Sequence, residues 1–241
     1  MVRPARFFVI CADRARTGKS LLARAVADWL TLEGEAPQLI DLDAPAFPLA
    51  ERYPGRVEAA DFGRTMGRVA VFDGIAQTPA LTRVVDVPAA HEAAFLRDMQ
   101  QLGLGEVLQE AGAEVVLFFL FTPTAASLNR ALEVERMFPA ARFQPVHNAA
   151  LGEAAGNDEA ESLYLELTRD GVVRLPVLSA PALAFIERVE FSFAALMRGE
   201  IAAPDLAVHN EARHFAQNLF KQLNRLQMAI DMDALKKMGF V

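Results

Sequence analysis

The stretch from Phe7 to Cys11 is an unbroken apolar run of β-branched and aromatic residues. A strand that is apolar on both sides belongs inside a sheet that is itself covered on both faces. From Lys19 the pattern turns helical: Leu22, Ala25, Val26, Trp29 and Leu30 recur at three- and four-residue spacing until Gly34, a residue suited to ending a helix. Strand-like runs follow at Gln38 to Leu42, Val69 to Phe72, Arg83 to Val87, Val115 to Phe121 and Arg142 to Val146, mostly with helical stretches between them. Pro88 to Gln101, Thr122 to Met137 and Pro181 to Met197 read as helices, the second opened by Thr122 as N-cap with Pro123 at its first position. This alternation predicts an α/β fold: a mostly parallel sheet with helices on both faces, filling residues 1–204.

Two segments stand outside that rhythm. Ala44 to Arg68 has no sustained period and carries several prolines and glycines, so it is expected to be irregular. Residues 205–241 form a C-terminal helical extension in which Ala212, Ala216, Leu219, Leu223, Leu226 and Ile230 keep a four-three heptad spacing. That face would pack either on the domain or on a partner.

Composition narrows the function classes. A net charge of −7 disfavours a bulk electrostatic grip on DNA or anionic lipid, which depends on clustered Lys and Arg. The single cysteine, Cys11, excludes an internal disulfide framework and points to a reducing, cytoplasmic setting. The longest apolar run, Val115 to Phe121, is far short of the roughly 20 residues that span a bilayer as a helix, so no transmembrane segment is expected.

Between the first strand and the first helix lies Thr17-Gly18-Lys19-Ser20. A phosphate chain needs many donors at close range, and a turn feeding a helix N-terminus supplies backbone N–H groups and the positive end of the helix dipole. Gly18 lets that backbone approach closely, Lys19 would reach the β and γ phosphates, and the Ser20 hydroxyl would complete the shell of a bound Mg²⁺. Gly-Lys-Ser alone recurs by chance; the apolar strand before it and the amphipathic helix after it favour the nucleotide-binding P-loop reading over an ordinary strand-to-helix connection with an exposed lysine. The first glycine of the usual eight-residue motif would fall at position 13, where this chain has Asp13. A carboxylate beside phosphate is unfavourable unless it points away or meets a cation, and Arg14 and Arg16 are the cations at hand.

In an open α/β sheet, chemistry collects at the carboxyl ends of strands. Asp41-Leu42-Asp43 ends the second predicted strand, and Asp86 lies just before Val87-Pro88. One such carboxylate would hold Mg²⁺ through water and another would orient the attacking water, although any one of Asp41, Asp43 or Asp73 can instead cap a turn. Asn148 follows the strand ending at Val146; its amide can read a nucleobase edge or simply shape a turn. The histidines show no metal-ligand spacing.

The order of these pieces resembles the deviant-Walker P-loop ATPases of the ParA/MinD group, over roughly residues 5–200. That group carries Lys-Gly-Gly-x-Gly-Lys-Ser/Thr after its first strand, against Arg14-Ala15-Arg16-Thr17-Gly18-Lys19-Ser20 here; the last three residues fit. Asp41-Leu42-Asp43 resembles its Asp-x-Asp switch and Asp86-Val87-Pro88 its Asp-x-Pro. The resemblance implies that Asp43 positions the hydrolytic water, that Asp86 supports Mg²⁺, and that Asn148 and Pro176 hold adenine. It implies an ATP-dependent homodimer that resets on hydrolysis and positions a protein or DNA-complex cargo. The group's signature lysine is Arg14 here, which keeps the charge but not the compact ammonium, and both glycines are replaced, by Ala15 and Arg16. A position there that needs positive φ would be strained. Two other readings remain open: a small-molecule ligase or kinase of the dethiobiotin synthetase type with its substrate pocket in Ala44 to Arg68, and a weakly active nucleotide-binding module working through its C-terminal helix.

Overall fold

The computed structural model describes residues 4–153 and 158–237. Seven strands form one sheet in the order β3-β2-β4-β1-β5-β6-β7, where β1 is Arg6–Cys11, β2 Gln38–Asp41, β3 Val57–Ala59, β4 Arg83–Asp86, β5 Glu114–Phe121, β6 Arg142–Asn148 and β7 Val173–Leu175. Every pairing is parallel. The two-residue period of β1 explains its uniform hydrophobicity: Phe8 and Ile10 enter one core, while Phe7, Val9 and Cys11 enter the other.

The first core is roofed by α1 (Lys19–Leu32), α8 (Ala180–Ile186), α9 (Phe193–Arg198) and α10 (Leu206–Lys237). The second is roofed by α3 (Thr65–Gln77), α4 (Glu92–Gln101), α5 (Leu104–Glu110), α6 (Ala125–Met137) and α7 (Asp158–Leu167). The chain leaves β1 through α1 towards β2, and leaves β5 through α6 on the opposite face towards β6. The winding therefore reverses around β1, and a crevice opens at the carboxyl ends of the central strands.

The heptad residues of α10 are all buried in the first core, so that face packs on the domain. Burying a leucine or isoleucine side chain contributes roughly 1.5–3 kcal/mol. Trp29 Nε1 donates to Asn224 Oδ1 at 2.7 Å and Arg142 pairs with Asp233 at 2.9 Å, fixing the helix along its length. Helix α1 ends as Gly34 foretold: with φ of 84°, Gly34 donates to Thr31 while Glu35 donates to Leu30, which satisfies the last carbonyls. Among the described residues no helix is long and apolar enough to cross a membrane.

Four local expectations are corrected. Val69 to Phe72 is helix, lying inside α3; Val71 and Phe72 face the core and Val69 faces out. Ala44 to Arg68 is not irregular throughout, because it holds α2 (Pro48–Arg52), the edge strand β3 and the start of α3. Helix α6 begins one turn-residue pair later than expected, with Thr124 as the N-cap accepting from Ser127 N, and the stretch from Pro181 to Met197 is divided between α8 and α9.

Candidate functional site

The loop from Ala12 to Gly18 joins β1 to α1, and its backbone needs two left-handed residues: Arg16 at φ 60° and Gly18 at φ 101°. Glycine is at ease there and arginine is not. Gly18 is required twice over, since a Cβ at that position would lie 3.1 Å from Asn148 Nδ2 and 3.3 Å from Leu175 Cδ1. The loop is held from both sides. Asn148 Nδ2 donates to Thr17 O at 3.0 Å, and the buried Thr17 donates through Oγ1 to Arg14 O at 3.3 Å.

Asp13 turns away from the loop interior. Its Oδ1 accepts from Ser127 Oγ on α6 at 2.7 Å, and its Oδ2 lies 3.6 Å from Arg14 Nε. Both conditions that make a carboxylate tolerable in a phosphate loop are thereby met. Arg14 is exposed beside Asp13, whereas Arg16, also exposed, lines the cavity above the loop.

That cavity has a volume of about 780 Å³. Its floor is the loop and the first residues of α1, with Arg16, Gly18, Lys19 and Ser20 contributing. Asp43 and Asp86 close one end, and Asn148, Leu151, Leu175, Pro176, Leu178 and Leu183 build the other. One end is thus charged, while the other is mainly leucine and proline with Glu187, paired with Arg24 and Arg52, at its margin. Lys19 is mostly buried, and its Nζ donates back across the loop to Arg14 O at 3.4 Å, a long bond that an incoming anion would readily replace.

The two sequence-predicted acid sets separate here. Asp41 is fully buried and already occupied: its Oδ1 accepts from Asp43 N at 3.0 Å, and its Oδ2 from Leu49 N at 2.7 Å and Ala50 N at 3.4 Å, tying β2 to α2. It shapes the turn that presents Asp43, and burial raises its pKa. Asp73 lies on α3, away from the cavity. Asp86 is the opposite case. It is 2 % exposed, and neither carboxylate oxygen has a hydrogen bond of ordinary geometry. Burial raises its pKa to about 7, with the nearby Ser20 hydroxyl and the Lys19 ammonium drawing it back down. A buried carboxylate with two free oxygens, next to a helix-start hydroxyl, fits a divalent cation that would supply the missing partner.

Asn148 is less free than a base-reading amide should be. While Nδ2 holds Thr17, Oδ1 accepts from Ala150 N at 3.1 Å, so its immediate work is to brace the loop and start a 3₁₀ turn. Leu151, Leu178 and Leu183, which sequence reasoning did not single out, form the apolar end with Pro176; as isolated leucines in or beside short helices they carried no distinguishing signal.

The comparisons agree with the architecture. A ParA family ATPase from Chlorobium tepidum superposes with a TM-score of 0.52 at 17% identity, over 89% of this chain and 98% of that one. The MinD cell division protein of Aquifex aeolicus superposes at 0.52 and 14% identity, over 91% and 97%. The fold is a P-loop NTPase fold. No family model and no curated protein sequence matches the chain. Within the P-loop NTPase fold, the loop, Asp43 and Asp86 occupy the crevice where the sheet reverses its winding, and the apolar wall after β7 flanks the same crevice.

Proposed function

We propose that this chain is a ParA/MinD-like ATP-binding switch: it takes Mg²⁺-ATP in the cavity above Thr17-Gly18-Lys19-Ser20, dimerises on ATP, and resets by slow hydrolysis. The observation that carries the reading is Asp86, an orphaned buried carboxylate beside Ser20 and Lys19 at the charged end of a cavity whose other end is mainly apolar. In this reading the backbone of Thr17 to Ser20 and the Lys19 ammonium bind the phosphates, and the purine rests against Pro176, Leu178 and Leu151. A Mg²⁺ held by the Ser20 hydroxyl and, through water, by Asp86 and Asp43 would supply charge neutralisation at the terminal phosphates. Asp43 orients the attacking water, and Arg16 neutralises phosphate charge from its own chain. Arg14, next to Asp13, is the residue available to a partner subunit. The cargo is a protein or DNA complex, and the reading implies work in the cytoplasm.

Slow turnover is favoured by the setting of the charged end. Arg16 holds a strained backbone, and the residues beyond Asp86 that line the cavity are Pro88, Ala89 and Ala90, which bring no polar side chain to a reacting phosphate. Among the described residues lining the cavity none comes from 44–68, so the ligase reading gains no support. The test is Lys19→Ala, assayed by ATP titration and by light scattering with and without ATP. Loss of at least tenfold in ATP affinity, with loss of ATP-dependent dimerisation, is expected; a variant that binds and dimerises as the parent does overturns the reading.

A further inference from the structure

We infer that α10 shapes the base-binding wall of the cavity, because Gln222 and Glu211 clamp the two ends of the segment that forms it. The inference rests on the nucleotide reading above and assigns the C-terminal helix a part in that site.

β7 is the outer strand of the sheet. Along a strand, successive residues turn their backbone N–H and C=O to opposite sides, so Arg174 presents both groups outward while its neighbours face β6. An edge strand with nothing to pair is free to shift. Gln222 closes it: its Oε1 accepts from Arg174 N at 2.8 Å and its Nε2 donates to Arg174 O at 2.9 Å, so that one side-chain amide imitates a neighbouring strand. Asn218, one helical turn earlier, accepts from the same Nε2 at 3.1 Å and fixes its orientation.

At the other end, Glu211 accepts from both Ser179 N and Ser179 Oγ, each at 2.6 Å. Ser179 is the N-cap of α8, and its hydroxyl also accepts from Ala182 N. Between the two clamps lie Leu175, Pro176 and Leu178, which line the apolar end of the cavity. Both clamps come from a helix otherwise anchored to the core, so the wall inherits the position of α10. α10 reaches the phosphate end only through its packing on the later turns of α1: among the described residues no α10 side chain bonds to Lys19 or Ser20 at the start of that helix, or to Asp43 and Asp86 at the ends of β2 and β4.

This asymmetry gives the experiment. The full chain and a Gln222→Ala/Glu211→Ala double variant are titrated with Mg²⁺-ATP and with Mg²⁺-tripolyphosphate, which carries the phosphates but no base. Loss of these hydrogen bonds is expected to weaken ATP about tenfold while tripolyphosphate stays within about twofold. Equal weakening of both ligands, or unchanged ATP affinity, overturns the inference. Glu211→Gln, which keeps an acceptor for Ser179, should recover part of the loss relative to Glu211→Ala; a general loss of folding would not be so recovered, and absence of recovery counts against the clamp. A parent chain that binds neither ligand refutes the nucleotide reading itself, and one that binds both equally refutes only the base wall.

Discussion

Asp86→Asn is the sharpest perturbation of the site, because it removes a charge while conserving shape. In the folded chain the carboxyl keeps its proton until about pH 7, whereas its ordinary value is 3.8. Between those two values the folded state binds more protons than the unfolded state, so stability falls as pH rises through that window and levels off above it. The gap of about three pH units, at about 1.36 kcal/mol each, sets a ceiling of about 4 kcal/mol for the cost of ionising this group in the fold. From pH 5 to pH 8 the parent chain is therefore expected to lose about 3 kcal/mol more than the variant. Neither oxygen has a hydrogen bond of ordinary geometry, and the Ser20 hydroxyl that lies nearby can equally approach the amide of the variant, so little loss of hydrogen bonding offsets the change. Asp28 and Glu92 also have raised values but are common to both chains and cancel in the difference, whereas Asp41, whose charge helps to raise Asp86, is relieved of that repulsion in the variant and contributes to the difference in the same sense. Urea unfolding without divalent cations at pH 5, 6, 7 and 8 reads it as a midpoint displacement of about 1 M at an ordinary slope. Parallel pH profiles for the two chains would refute the argument that Asp86 is a desolvated charge awaiting a cation.

Two substitutions test the loop. Arg16→Gly releases a left-handed arginine and is expected to raise stability by about 0.5–1 kcal/mol while weakening ATP about tenfold; Arg16→Ala should show the second effect without the first. Paired urea unfolding and nucleotide titration would expose the error if affinity were unchanged in both. Gly18→Ala places a Cβ against Asn148 and Leu175 at φ 101° and is expected to destabilise by about 1–3 kcal/mol; denaturation indistinguishable from the parent would show that the loop can rearrange.

The phosphate end was legible in the sequence because its parts are local: a doubly buried strand, a glycine, a lysine, a hydroxyl and a helix face follow one another within β1 and α1. Asp43 and Asp86 were legible as strand ends. The difference between Asp41 and Asp43 was not, since it depends on where Leu49 N comes to rest in α2. The run Val69 to Phe72 misled because a short β-branched stretch has no period of its own. Gly67 shows what decided it: a Cβ there would sit 2.2 Å from Asp61 O, so a glycine admits the close chain crossing that starts α3. The heptad of α10 was visible, but whether core or partner covers it is a tertiary fact. β7 escaped notice as three residues at an edge whose outer partner is a side chain.

The Asp13 contact with Ser127 has a kinetic consequence. A loop tethered at its entrance to α6 and braced at Thr17 by Asn148 has surrendered its conformational freedom at folding rather than at ligand capture. Association should then follow a single encounter step, with a rate that rises in proportion to nucleotide concentration and no plateau from a slow ordering of the loop. A chain with the usual glycines and no such tether would have to find that shape anew at each arrival.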